Sequence, residues 1–318
     1  MKRVRRIVKL LKIIAPEYIF GALGIIFLVV LFVLGNFFST QKTKSTVPTE
    51  IAPTVFDGLT LQASSTFVYD VKNKREIFSK NGDAQLPLAS LTKIMMAVTA
   101  LSILPKNTVV TINQEFLKSE GDSGLYDNER WKLEDLIDIT LLQSSNDGAS
   151  AIASVAGASG HSVISDNFGR GPFIDAMNNK AKELGLDQTY FLNPTGLDEG
   201  VSVSGAYGSA RDVSVLFSHA ISTYPQIFDV TRSSDHEFSS LSAITHKVKN
   251  TNTFVNKIPS LLASKTGYTD LAGGNLVIAF DAGVNRPIVV SVLGSTEQGR
   301  FDDVEKLVWS TLEYLGEN

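Results

Sequence analysis

Ser90 and Lys93 are three positions apart in the segment Ser90-Leu91-Thr92-Lys93. If this segment is helical, both side chains lie on one face, where the hydroxyl can meet the amine. Most residues around Lys93 are apolar, and removing water from an amine lowers its pKa. A neutral lysine can accept the proton of Ser90 and make that hydroxyl a nucleophile. The pair therefore predicts serine-based covalent catalysis with a lysine as general base.

A purely structural explanation of the same pair is also open. Ser90 lies near the start of a predicted helix, where a serine commonly caps the backbone, and Lys93 could extend its amine to water. The same spacing also occurs at 39–42, in a polar segment with no helical pattern. Taken alone, this motif is weakly specific.

A second polar group, Ser144-Ser145-Asn146, separates an apolar helical pattern from a helix of small residues. We expect a loop here to project Ser144 and Asn146 together. An ordinary N-cap for the following helix explains the same residues, and the form recurs at 165–167.

A third group, Lys265-Thr266-Gly267 followed by Tyr268, precedes an apolar run. On a strand that faces a cleft, Lys265 and Thr266 would offer a cation and a hydroxyl to a carboxylate. Gly267 would allow a backbone or a ligand to approach closely. The alternative is an ordinary exposed strand end.

The elements that must position these groups follow from hydrophobic periodicity. Alternation predicts a β-hairpin from 66–70 and 76–79, and a second one from the apolar runs 275–281 and 287–294. Helical spacing begins near Leu91 and ends at Pro105. Further helices are predicted at 133–143, at 147–157, at 172–184 with Gly185 as its cap, and at 301–315.

Strands at both ends and helices between them indicate a mixed α/β (α+β) fold. We expect one antiparallel sheet, formed from both ends of the domain and flanked by helices, with a mostly helical lobe inserted. Residues 59–318 are interpreted as one catalytic domain whose two lobes meet at a cleft.

The N-terminal region has the composition of a membrane anchor. Residues 1–17 carry six basic groups and one acid, whereas the rest of the chain has 23 basic and 32 acidic groups. Residues 18–38 contain no charge, and at helical rise they span ~31 Å, about one hydrocarbon core. The basic flank predicts a cytoplasmic N-terminus and a single-pass, uncleaved signal anchor in the cell membrane.

A cleaved signal peptide and a buried core helix are the alternatives for 18–38. A signal peptide would normally have a shorter apolar stretch and small residues at its cleavage site, which this segment lacks. Residues 39–58, rich in Ser, Thr and Pro, are interpreted as a linker to an extracytoplasmic catalytic domain.

Composition excludes several classes of function. The chain has 318 residues and no cysteine, which excludes disulfides, thiolate metal sites and cysteine catalysis. Its four histidines lack metal-ligand spacing, so we expect no metal and no other cofactor. A pI of about 5.6 argues against nucleic acid as a partner.

Together, in this order, the three motifs form a known catalytic signature. The chain resembles the D-alanyl-D-alanine carboxypeptidases, which are low-molecular-mass penicillin-binding proteins of the serine peptidase type with a DD-peptidase/β-lactamase-like fold. The similarity extends through LASLTKIMMA (88–97), LLQSSNDGASAIA (141–153), FIDAMNNKAKELGL (173–186), FLNPTGLDE (191–199), SARD (209–212) and ASKTGYTDLAGGNLV (263–277).

The resemblance implies a role for each motif residue. Ser90 would attack the carbonyl between the last two D-alanines and form an acyl-enzyme, and Lys93 would act as the general base. Ser144 would pass a proton to the leaving amine with Lys265 nearby, and Asn146 would hold the acylated peptide. Substrate binding would involve Lys265, Thr266, Gly267 and Tyr268: the first two would bind the free carboxylate, and the backbone N–H groups of Ser90 and Tyr268 would form the oxyanion hole.

The partners implied by the resemblance are peptidoglycan stem peptides that end in D-Ala-D-Ala, β-lactam antibiotics as inhibitors, and the lipid bilayer through residues 18–38. Two positions depart from the pattern of many relatives, because Thr195 and Tyr268 stand where histidine is common. Neither side chain is needed for the roles above, but substrate preference or pH response could differ.

A serine β-lactamase shares the three motifs and is the nearest rival. A class A enzyme would need a deacylating glutamate in an E-x-x-L-N segment, which the sequence lacks. A non-catalytic penicillin-binding sensor is a further alternative, although all the motif residues are kept. Transpeptidase or endopeptidase activity stays open.

Overall fold

Both ends of the described chain contribute strands to one antiparallel sheet. The structure, a computed structural model, describes residues 55–121, 123–159 and 170–317. In chain order the strands are β1 Ser65–Asp70, β2 Arg75–Lys80, β3 Leu86–Pro87, β4 Val109–Thr111, β5 Arg130–Lys132, β6 Tyr190–Phe191, β7 Ala206–Gly208, β8 Asp235–Ser239, β9 Thr245–Lys249, β10 Leu261–Thr269, β11 Gly273–Asp281 and β12 Pro287–Ser295. The helices are α1 Thr92–Ile103, α2 Leu133–Gln143, α3 Asn146–Ala158, α4 Arg170–Glu183, α5 Ala210–Thr223, α6 Pro225–Phe228 and α7 Gly299–Glu317.

The main sheet has five strands in the order β10-β11-β12-β1-β2, with every neighbouring pair antiparallel. Its outer strands therefore come from opposite ends of the domain, and both predicted hairpins are present. Residues of β11 alternate between two cores: Leu276 and Ile278 face α7, whereas Val277 and Ala279 face the helical lobe. Because both faces are covered, the strands are continuous apolar runs.

Helix α7 covers one face of this sheet. Phe301, Val304 and Leu307 pack on the strands at helical spacing, which confirms the predicted C-terminal helix. On the same helix the buried carboxylate of Asp303 accepts hydrogen bonds from the backbone N–H of Gln62 at 3.0 Å and of Ala63 at 2.8 Å. The start of the domain is thereby fixed to its end.

The helical lobe lies against the other face, with α1 at its centre. Every residue from Thr92 to Ala100 is buried, so α1 is enclosed on all sides instead of having one apolar stripe. Helices α2, α3 and α4 occupy the predicted positions to within a few residues. Gly185 has φ +69°, the left-handed conformation of a helix C-cap, as predicted.

The expectation of a single sheet was incomplete. Within the described residues there is also a three-stranded sheet, β3-β7-β6, and there are two small hairpins, β4-β5 and β8-β9. Helix α5 was not predicted, although Val213, Leu216, Phe217 and Ala220 have helical spacing. The extra strands have only two to five residues, and at most two residues of each are buried, which leaves little alternation of apolar and polar residues to identify them.

The predicted cytoplasmic segment 1–17, the membrane segment 18–38 and the first part of the linker, 39–54, lie outside the described residues. Among the helices that the structure does describe, none combines the length and the hydropathy that crossing a bilayer requires.

Candidate active site

A short turn presents Ser90 at the edge of the main sheet. Residues Ala89–Leu91 form a 3-10 turn immediately before α1, and this turn packs against β10. Ala89 has φ +48°, a left-handed conformation that costs a residue with a side chain of order 1 kcal/mol. The surroundings hold it there: Thr92 Oγ1 donates to Ala89 O at 2.7 Å, and a Cβ at Gly196 would overlap that carbonyl.

Lys93 reaches Ser90 as predicted, through a hydrogen bond of 2.9 Å between Nζ and Oγ. Its amine also contacts Asn146 Oδ1 at 2.7 Å and the carbonyl oxygen of Thr195 at 2.8 Å. The side chain is fully buried, and burial lowers the pKa of Lys93 to about 7. The alternative in which Lys93 extends to water is therefore wrong.

The partners of Lys93 determine how a neutral amine would be oriented. Asn146 Nδ2 donates to the backbone carbonyl of Glu120 at 2.6 Å, which leaves Asn146 Oδ1 to face the amine as an acceptor. The carbonyl of Thr195 can only accept as well. A neutral amine has two N–H groups and one lone pair, so with both N–H groups donated the lone pair points to the Ser90 hydroxyl.

Ser144 and Asn146 lie at the junction of α2 and α3, and their side chains contact the two lysines of the site. Ser144 ends α2 in the left-handed conformation, with φ +66°, and its Oγ accepts from Lys265 Nζ at 2.9 Å. The residue that caps α3 is Ser145, whose Oγ accepts from the N–H of Gly148 at 2.9 Å. The N-cap explanation therefore applies to Ser145 and leaves Ser144 and Asn146 free for other contacts.

Lys265 and Thr266 lie within β10 and are almost completely enclosed, with 1% and 4% of their surface exposed. The alternative interpretation of this motif, an ordinary exposed strand end, is therefore wrong. Burial, with the positive charges of Lys93 and Arg300 nearby, holds the pKa of Lys265 well below its ordinary value. Thr266 Oγ1 shares a hydrogen bond of 2.6 Å with Thr251 Oγ1.

Gly267 and Tyr268 continue β10 past the serine turn. Gly267 is buried, and Arg300 Nη1 donates to its carbonyl at 2.9 Å. Tyr268 is 48% exposed and lines a groove of about 540 Å³ with Glu120, Leu197 and Asp198 among its other walls. The groove gives an extended ligand room along the end of β10.

Three groups in the site, two backbone carbonyls and one arginine, are not predictable from the sequence. The carbonyls of Thr195 and Glu120 act through the backbone, which leaves no signature in residue types. Arg300 is a buried cation in the first turn of α7, and a single arginine in an amphipathic helix carries no distinguishing pattern.

In the described part of the chain no cluster of three acidic or histidine side chains could hold a metal ion. The two look-alike motifs at 39–42 and 165–167 lie outside the described residues.

The chain is similar in sequence to a known protein family and to characterised proteins. A family model described as D-alanyl-D-alanine carboxypeptidase matches residues 49–297. The D-alanyl-D-alanine carboxypeptidase DacF of Bacillus subtilis is 28% identical over 253 residues, which cover 78% of this chain and 61% of that protein. The D-alanyl-D-alanine endopeptidase of Escherichia coli is 29% identical over 275 residues, 84% of this chain and 82% of that protein. The chain thus spans about three fifths of the Bacillus relative.

Solved structures give the same fold. A penicillin-binding protein from Listeria monocytogenes, determined with ampicillin bound, has 27% identity and a TM-score of 0.66, covering 79% of this chain and 98% of that one. A D-alanyl-D-alanine carboxypeptidase from Mycobacterium tuberculosis has 24% identity and a TM-score of 0.70, covering 80% of this chain and 92% of that one.

Proposed function

Because the chain belongs to the D-alanyl-D-alanine carboxypeptidase family, we propose that it is a membrane-anchored serine carboxypeptidase. It removes the terminal D-Ala from peptidoglycan stem peptides through an acyl-enzyme on Ser90, and penicillins acylate the same hydroxyl. The contact between Lys93 and Ser90 carries this proposal, since it joins a buried amine of lowered pKa to a partly buried hydroxyl at 2.9 Å.

Acylation begins with proton transfer from Ser90 Oγ to the lone pair of Lys93 Nζ. The oxygen attacks the carbonyl carbon of the penultimate D-Ala, and the carbonyl oxygen takes the negative charge. Lys93 then becomes an ammonium with three N–H groups, for which Asn146 Oδ1, the Thr195 carbonyl and the serine oxygen are the acceptors. The site can therefore hold either protonation state of the amine.

Collapse of the tetrahedral intermediate breaks the peptide bond and releases D-Ala. The leaving nitrogen needs a proton, and Ser144 relays it: its hydroxyl, which is hydrogen-bonded to Lys265, donates to the nitrogen and is reprotonated by the ammonium of Lys93. The proton taken from Ser90 thus ends on the released amine, and Lys93 is neutral again. The backbone N–H groups of Ser90 and Tyr268 stabilise the oxyanion, where one donor is typically worth a factor of ~100–1,000 in turnover. Water then attacks the acyl-enzyme with Lys93 as base, and the serine is regenerated.

Recognition of a free carboxylate explains a preference for the chain end of the substrate. Lys265 and Arg300 are buried basic side chains, and Thr266 offers a hydroxyl beside Lys265. A bound carboxylate favours the charged form of Lys265, which opposes the effect of burial on its pKa. Binding of an anion therefore offsets the repulsion between the positive charges of Lys265 and Arg300.

Anchoring in the membrane is the remaining part of the proposal. The uncharged segment 18–38 and the basic residues before it support a single-pass anchor with the catalytic domain outside. An extracytoplasmic position would give the enzyme access to peptidoglycan.

Mass spectrometry of a peptide ending in D-Ala-D-Ala, incubated with the full-length chain in detergent, tests the activity. We expect loss of one alanine, no loss with Ser90→Ala, and strongly reduced loss from the same peptide with a C-terminal carboxamide. An intact free-acid peptide would contradict the proposal. Cleavage only within cross-linked dimers would indicate an endopeptidase, and rapid hydrolysis of penicillin would indicate a β-lactamase.

A further inference from the structure

A buried acid–histidine pair lies outside the site described above. Glu129 precedes β5 and His246 lies on β9, and only 1% and 9% of their surfaces are exposed. His246 Nε2 is 2.7 Å from Glu129 Oε1, and because a carboxylate only accepts, the ring nitrogen is the donor. The imidazole also packs against the Trp131 ring, with centroids 5.2 Å apart.

The second oxygen of Glu129 holds a segment that runs to the active site. Glu129 Oε2 accepts from the backbone N–H of Tyr126 at 3.1 Å. We call 119–129 the cleft segment; its residue 122 lies outside the described residues. The carboxylate therefore joins β9 to the C-terminal end of this segment through two hydrogen bonds.

The other end of the cleft segment contacts Asn146 and the last residue of α2. The carbonyl of Glu120 accepts from Asn146 Nδ2 at 2.6 Å, and the carbonyl of Ser123 accepts from Gln143 Nε2 at 2.8 Å. The first contact decides which end of the Asn146 amide faces Lys93. A shift of the segment would release that amide and, with it, one of the two acceptors that orient the lysine lone pair.

We propose that Glu129 and His246 are positioning residues for the reaction. They fix the cleft segment so that the Glu120 carbonyl holds Asn146 Oδ1 towards Lys93. The two oxygens of the Glu129 carboxylate are directed to His246 and to the N–H of Tyr126, and a role in placing the segment explains this direction. The inference rests on the proposed function, because it concerns the rate of Ser90 acylation.

The variant Glu129→Gln tests the pair. The carboxylate accepts from two donors, His246 Nε2 and the N–H of Tyr126, whereas the amide of glutamine has only one oxygen to accept from them. Glu237→Gln is the matched control: Glu237 pairs with Lys247 across the same β8-β9 hairpin, at 3.8 Å and exposed to solvent. Acylation by a fluorescent penicillin is measured per folded molecule and separated into a binding constant and a limiting rate. Hydrogen exchange of peptides from the cleft segment is measured in parallel.

For Glu129→Gln we expect a limiting rate between about 10- and 100-fold below wild type, the effect of a misplacement near 1 Å. Its binding constant should change little, and exchange should be faster in the cleft segment but not in α1. If this variant does not fold, His246→Phe removes the same donor and keeps the ring packing. An unchanged limiting rate, or a slower one without faster exchange, would overturn the inference. Absence of acylation in wild type would instead contradict the proposed function.

Discussion

Gly267 lies directly against the backbone of Ser90. A Cβ on Gly267 would stand 3.1 Å from the nitrogen of Ser90 and 3.0 Å from the carbonyl oxygen of Leu88. Strand β10 can approach the serine turn this closely only because the residue has no side chain. The absence of a side chain at Gly267 therefore sets the separation between the nucleophile and the strand that carries Lys265 and Tyr268.

The substitution Gly267→Ala should slow acylation of Ser90 by up to about tenfold, since the methyl group pushes the strand and the turn apart by a few tenths of an ångström. The rate of labelling by fluorescent penicillin is the measurement. Gly171→Ala is the control, because a Cβ there meets nothing within 4 Å. If Gly267→Ala were labelled at the wild-type rate, the separation between β10 and the serine turn would not matter for acylation.

Replacement of Lys93 by methionine should change how stability depends on pH. The pKa of Lys93 is about 7 in the folded protein and 10.5 for an unperturbed lysine. Between these values the unfolded state binds more protons, so the free energy of unfolding of wild type rises with pH. Methionine does not titrate, and urea unfolding at several pH values should give Lys93→Met a smaller rise. Identical slopes for the two proteins would mean that Lys93 is not desolvated on folding.

Much of the architecture could be predicted because burial leaves a periodic pattern. The apolar runs of β11 and β12 and the spacing of α7 each reflect a face that is covered. Helix α1 was predicted from the same pattern, although it is buried on all sides. The hairpins β4-β5 and β8-β9 escaped prediction because so few of their residues are buried.

The candidate site was predictable to the extent that side chains form it. Ser90 and Lys93 are close in sequence, so helical geometry alone predicts their contact. The contact between Ser144 and Lys265 joins residues 121 positions apart, and only the family resemblance indicated it. The carbonyls of Thr195 and Glu120 were not predictable, because any residue type provides one.

A cluster of acids away from the site should make stability fall as pH rises. Burial, followed by the charges of Asp135, Glu134 and Asp229, raises the pKa of Asp138 to about 8, and one of its oxygens has no hydrogen-bond partner among the described residues. The folded state therefore binds more protons than the unfolded state between pH values of about 4 and 8.

The variant Asp138→Asn removes that charge and should raise Tm at pH 8, by about 2–4 °C for each kcal/mol gained. At pH 4 the difference should be small. Exposed Glu115→Gln is the control and should leave Tm nearly unchanged at both pH values. A variant that is less stable than wild type at pH 8 would contradict the effect assigned to Asp138.

Penicillin should remain on Ser90 for long periods once bound. The sequence contains no E-x-x-L-N segment to supply a deacylating glutamate. Intact-mass spectrometry should therefore show a one-to-one adduct that persists after free drug is removed, and Ser90→Ala should show none. Complete loss of the adduct within seconds would favour the β-lactamase alternative.

The dependence of Ser90 acylation on pH tests the role of Lys93 most directly. The second-order rate constant with a penicillin is measured between about pH 5 and 9, and peptide mapping verifies that the adduct is on Ser90. Because only the neutral amine can accept the proton, and the pKa of Lys93 is about 7, we expect the rate constant to level off above that pH. Below it, the rate constant should fall about tenfold per pH unit. A rate constant that stays level down to pH 5 would contradict the assignment of Lys93 as the base.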